Sequence, residues 1–149
     1  MFQRIDDEIV IGGTAQEEAF LRQIPGLLDS VGIDQEDPGY SVLHRPLCLD
    51  DPDVDGELRA LVSPELEAQR RTDRSVLDRC LRERSAMTLE QAHGFLRSLN
   101  EARLVLAARA GAFEDGAAWE HRIDEDPALA AVAWLGYVQT DLLRALADG

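Results

Sequence analysis

The residues able to do chemistry are few, and the sharpest of them is an arginine. In the run Thr88 to Gly111, TLEQAHGFLRSLNEARLVLAARAG, Arg103 falls about 40° round from Leu99 at helical spacing, flanked by Leu96 and Leu106 on an otherwise apolar face. Asn100 sits at the edge of that face, and Gln139 lies in the middle of an apolar side of the last helical segment. A guanidinium withdrawn from water needs partners, because an unpaired buried charge costs several kcal/mol. Asn100, Arg103 and Gln139 are therefore expected to meet in one hydrogen-bonded cluster joining two helices. That cluster is either a polar joint fixing helix register, the simpler reading, or the wall of a small-ligand pocket. Arg97, on the flank away from Leu99, is expected to reach water.

Cys48 and Cys80 are the next candidates. They are single and well separated, with no CxxC spacing, and a redox switch would need their Cα atoms within about 7 Å. One falls in a loop segment and the other on a helix's inner face, so both are expected to be unpaired. His44 and Cys48 have a spacing that two metal ligands tolerate, but no second pair accompanies them. Glu114, Asp115, Glu120, Asp124, Glu125 and Asp126, with His121, could surround a hard cation. They lack the alternating D-x-D-x-D-G order of a calcium loop, and a solvated acidic connection is expected instead. No metal or cofactor is expected. There is no Walker loop, GxGxxG, GxSxG or HExxH, so no catalytic residue is assigned and the chain reads as a non-enzyme.

The elements that must carry these residues are helical. Thr88 and Gln91 form a capping box and Gly111 supplies a left-handed C-terminal stop, bounding a helix whose core face holds Ala92, Phe95, Leu96, Leu99, Ala102, Leu106 and Ala110. Before it, residues 1–13 (FQRIDDEIVI, then Gly12-Gly13) predict a short β-hairpin turning at Asp6-Asp7-Glu8. Thr14 and Glu17 open a helix that Pro25 should break near Ile24. Residues 32–56 lose periodicity and predict an acidic loop. Asp51-Pro52 and Ser63-Pro64 each carry a cap followed by proline, predicting a short helix through Val62. A second would run from Pro64 to Arg84 with Leu66, Val76, Leu77, Cys80 and Leu81 inward. After residues 112–126, Asp126-Pro127 starts a last helix. Leu129, Val132, Leu135, Gly136, Leu143 and Leu146 line one side of it, Trp134, Tyr137 and Val138 the other, so both sides should be buried. The expected fold is all-α, a small helical bundle of about five helices with a short N-terminal β-hairpin, as a single domain over residues 1–149.

Composition bounds the function. All 15 basic residues are arginine against 29 Asp and Glu, a formal charge of −14, which opposes the phosphate attraction behind non-specific nucleic-acid binding. Direct nucleic-acid binding and docking on an anionic membrane are not expected. No run approaches the ~20 apolar residues of a membrane span, and no signal-peptide pattern opens the chain. A cytoplasmic protein is expected, with a protein partner and with homo-oligomerisation left open.

Three stretches carry a resemblance: TLEQAHGFLRSLNEARLVLAARAG, DPALAAVAWLGYVQTDLLRAL and DDPDVDGELRALV. Most specific are Leu99-Asn100-Glu101-Ala102-Arg103-Leu104-Val105-Leu106, and Trp134-Leu135 followed by Val138-Gln139. Over roughly residues 14–147 the chain resembles an actinobacterial family catalogued as a domain of unknown function and also called the actinobacterial oxidative-stress regulator family. Genes of that family commonly lie near the small adaptor of the Clp protease. The resemblance implies a helical protein and, for some members, redox-linked control of transcription through the transcription machinery. It brings no established catalytic site. The expected function is thus a non-enzymatic regulatory or interaction protein. The alternatives are a redox switch through Cys48 and Cys80, and an enzyme or small-ligand binder with a polar pocket around Arg103.

Overall fold

The hairpin expected at the N-terminus forms and gains a third strand. In this computed structural model, which describes residues 1–32, 35–44, 48–114 and 116–148 (the side chains of 116–118 excepted), β1 (Phe2–Ile5) and β2 (Glu8–Ile11) pair antiparallel. Phe2 lies opposite Ile11 and Ile5 opposite Glu8. Asp6 makes the turn at φ 55°, a left-handed conformation that a short polar side chain tolerates. On the free edge of β2 sits β3 (Met87–Thr88), with Met87 opposite Ile9. Two residues of strand are too few to leave a pattern in the sequence.

The capping signals act as read. At the start of α1 (Ala15–Leu21) the Glu17 N–H donates to Thr14 Oγ1 at 3.2 Å and the Thr14 N–H to Glu17 Oε2 at 3.0 Å. The chain breaks at Arg22-Gln23, and Pro25 falls in the first turn of α2 (Ile24–Val31), where its missing N–H is no loss. Residues 32–56 do not form a continuous loop: α3 (Pro38–Leu43) lies within them, its first turn capped by Asp37, which accepts from the Gly39 N–H at 2.9 Å. Asp37-Pro38 is the same cap-plus-proline device that starts the helices at 51–52 and 126–127.

The largest departure is α4 (Pro52–Glu83), one helix of 32 residues with Pro64 inside it. The expected break at Ser63-Pro64 is not made. A proline within a helix leaves the carbonyl four residues earlier without its N–H; here that residue is Ala60, which is exposed, so water can take the bond. Leu66, expected inward, is 44% exposed, whereas Leu77, Cys80 and Leu81 are buried. Arg84 ends α4 at φ 50°.

The predicted central helix is α5 (Leu89–Arg109), started by the Thr88–Gln91 capping box and ended at Gly111 with φ 71°. Its neighbours are α2, α3, α4, the last helix (Pro127–Ala147) and strands β2 and β3. Ala92, Phe95, Leu99, Ala102 and Val105 sit at the core, and Gly94, Ser98 and Ala107 are buried as well. α3 closes on it through Gly39, where an added Cβ would come 2.9 Å from a Val105 methyl. A 3-10 helix (Gly116–Arg122) leads to α6 (Pro127–Ala147).

α6 buries one face against α5, not two: Leu129, Val132, Leu135, Val138, Leu142 and Ala145 are buried, while Tyr137 is 78% and Leu143 52% exposed. The 3.6-residue period explains the correction, since Val138 falls with Leu135 and Leu142 rather than with Tyr137. Phe20 of α1 packs edge-on to Trp134 at 5.0 Å. The Phe2 N–H donates to Asp141 Oδ2 at 2.9 Å and Arg4 Nη1 to the Leu146 carbonyl at 3.1 Å, clamping the sheet to α6. The whole is a small helical bundle with a short N-terminal antiparallel sheet.

Candidate functional site

α5 and α6 bring Asn100, Arg103 and Gln139 together. Arg103 Nη1 donates to Gln139 Oε1, and Gln139 Nε2 donates to Asn100 Oδ1, each at 3.3 Å. The apposition depends on Gly136 of α6, where a Cβ would lie 3.2 Å from Arg103 Cζ; without that side chain the guanidinium can lie against the helix. The trio is not sequestered as expected: Asn100 is exposed, and Arg103 and Gln139 are half-buried. The helical wheel puts Arg103 beside Leu99, but its long side chain carries the head out to the rim. There it edges a cleft of about 430 Å³ shared with Leu104, Ala107, Ala112, Phe113, Trp119 and Val132.

A buried carboxylate lies elsewhere, at a residue the sequence analysis passed over. Asp73 on α4 is buried, and Arg97 on α5 binds it bidentately, Nε to Oδ2 and Nη2 to Oδ1, both at 2.9 Å. The hydrogen bonds to Asp73 push the Arg97 guanidinium above its ordinary value. Gly94 makes room, since a Cβ there would fall 2.5 Å from Asp73 Oδ1. Arg97 reaches water as expected, 45% exposed, and at the same time holds this buried carboxylate. A signal was present: Asp73, Leu77 and Cys80 stand at i, i+4 and i+7, placing a carboxylate in line with the buried stripe of α4. A second buried carboxylate, Glu18, pairs with Arg84 at 3.2 Å, where α4 ends.

The two thiols are far apart. The Cys48 N–H donates to Asp55 Oδ1 at 3.0 Å, fixing Cys48 beside the first turns of α4, while Cys80 is buried near that helix's other end. From Asp55 to Cys80 the helix rises about 37 Å at 1.5 Å per residue, so a Cys48–Cys80 bond within one chain is incompatible with this fold. His44 is engaged away from Cys48: its Nδ1 lies 2.9 Å from the Tyr40 carbonyl and its ring stacks on Tyr40 at 4.0 Å. Of the acidic connection, Asp126 caps α6 by accepting from the Ala128 N–H at 2.9 Å. Glu114, Glu120, His121, Asp124 and Glu125 are exposed, and Asp115 lies outside the described residues. Among the described residues no three His, Cys, Asp or Glu side chains gather closely enough to hold a metal ion.

The N-terminal half of α4 is the most exposed apolar surface. Val54, Leu58 and Leu61 fall within about 60° of one another on the helix, exposed by 40, 38 and 75%, and Leu49 and Leu66, before and after them in the chain, are exposed as well. Asp50, Asp51, Asp53, Glu57 and Glu65 rim this stripe, all exposed, and among the described residues none of the five is ion-paired. No helix among the described residues is long and apolar enough to cross a membrane.

No curated protein and no solved structure matches the chain. One family model does, that of a domain of unknown function (DUF2017), over residues 1–146. With nearly its whole length inside that match, the chain belongs to the DUF2017 family.

Proposed function

We propose that this chain is a non-enzymatic interaction protein whose working surface is the N-terminal half of α4, and that the partner presents a basic amphipathic helix. The observation that carries the reading is the exposed Val54–Leu58–Leu61 stripe inside its rim of carboxylates that form no ion pair among the described residues. Exposed leucines on a stable helix forgo the roughly 1.5–3 kcal/mol each would gain on burial. An apolar stripe of helical spacing is complemented by another helix's i, i+3, i+4 anchors, and an acidic rim selects arginine or lysine around them. A second copy of this chain would bring a like rim against it, and the charge of −14 disfavours that pairing as well as direct nucleic-acid binding.

The finer form of this reading is stress-linked control of transcription through the transcription machinery. It is supported by the resemblance of the 88–111 and 127–146 helices to the actinobacterial oxidative-stress regulators. The rise of about 37 Å from Asp55, which holds the Cys48 backbone, to Cys80 argues against an intramolecular Cys48–Cys80 switch within that reading.

The test is a paired capture with wild-type protein and a Leu58→Asp/Leu61→Asp variant of unchanged melting temperature. The reading requires a partner lost with the variant, whose binding maps to a basic helical segment and is abolished by reversing that segment's charges. A partner set indifferent to the variant, or a wild-type dimer that the variant dissociates, would overturn it.

A further inference from the structure

From the cleft between α5, α6 and the 3-10 helix we infer a binding site for a small organic carboxylate with an apolar, ring-bearing body. The inference is independent of the α4 surface. Arg103 is half-buried, yet among the described residues it makes no ion pair, in a chain with almost twice as many carboxylates as arginines. Its single acceptor among the described residues is the neutral Gln139 Oε1. A guanidinium carries five N–H donors in a planar fork suited to a carboxylate, so most of its capacity is unspent at the cleft edge.

The hydrogen-bond chain gives the site its polarity. Gln139 accepts from Arg103 and donates to Asn100 Oδ1, which leaves the Asn100 Nδ2 amino group as a donor. Guanidinium and amide donor therefore line the same cleft, and among the described residues no carboxylate does. The remaining walls are apolar: Leu104, Val132, Trp119 and Phe113, the last 54% exposed although aromatic. At about 430 Å³ the space lies within the range of small-ligand sites. A ring against Trp119 and Phe113 with its carboxylate on Arg103 satisfies both halves. A compact dianion such as phosphate would meet the field of a −14 molecule with no apolar contact in return.

The probes are phenylacetate, its neutral counterpart benzyl alcohol, and inorganic phosphate, titrated into the full chain and followed by amide and indole N–H resonances. Phenylacetate should shift the Trp119 indole and the Asn100 side-chain amide saturably, with benzyl alcohol and phosphate at least about tenfold weaker. Arg103→Gln should weaken phenylacetate by about tenfold or more and leave benzyl alcohol unchanged. Phe113→Ala, at an exposed position, should weaken both organic probes. If Arg103→Gln fails to fold, the acid-to-alcohol ratio on the wild type together with Phe113→Ala decides the matter. Equal affinity for acid and alcohol, tighter phosphate, or no saturation by about 10 mM would overturn the site.

Discussion

Two arginines of α5 differ in what they hold more than in how far they stand from water. Arg97 holds a buried carboxylate with two hydrogen bonds, whereas Arg103 has one hydrogen bond to an amide and an outlet to water. Arg97→Ala should therefore cost more stability than Arg103→Ala in urea denaturation. Breaking a buried pair costs ~3–5 kcal/mol, but Arg97 is 45% exposed and its removal admits water to Asp73, so about 2 kcal/mol is expected. Arg103→Ala should cost about 1 kcal/mol or less, the worth of one neutral-partner hydrogen bond. Equal losses, or the reverse order, would show that the Asp73 pair is not the joint between α4 and α5. Gly94→Ala belongs to the same joint. Helix propensity alone favours alanine by ~1 kcal/mol, yet the new methyl would displace Asp73 Oδ1, and a net loss of stability is expected.

At the scale of elements, capping chemistry was the legible part. Thr14, Asp51, Thr88 and Asp126 each begin a helix as their spacing announces, because a cap is a local bond within three residues. What stayed hidden is non-local or too short to be periodic: β3, α3 and the continuity of α4 through Pro64. Asp37-Pro38 announced α3 in the same language, but a six-residue helix offers too little pattern to set against the acidic stretch around it. Of the polar cluster, its members could be named from the sequence, while its exposure depends on how far Arg103 reaches over Gly136. The proline makes α4 testable by itself. Pro64→Ala restores an N–H and removes a ring clash worth ~3 kcal/mol in a helix interior. Residues 52–63 are largely exposed and are expected to open locally, so the gain should appear as slower amide exchange there rather than as a matching rise in melting temperature. An unchanged exchange rate would mean that Pro64 imposes no local weakness.

Across the whole molecule, two carboxylates tie distant parts of the chain together and set its behaviour in acid. The Arg109 side chain holds Asp37 below the ordinary carboxylate value, joining α3 to the end of α5, and the Phe2 N–H does the same for Asp141, joining β1 to α6. Both folded values lie below the unfolded ones, so their stabilisation is fully present above about pH 4 and is lost as the pH falls through the folded values. The melting temperature should fall below about pH 4, and Asp141→Asn should flatten that fall; an unaltered slope would assign the acid sensitivity to other groups. The long single helix also leaves the molecule with a natural timer. Cys48 stands partly open at one end of α4 and Cys80 is shut against the core near the other. A thiol reagent should modify Cys48 at the rate of a small peptide, and Cys80 only during the moments when α4 parts from its neighbours. The ratio of the two rates then reads the opening equilibrium of the native protein in plain buffer, with Cys48 as its internal standard.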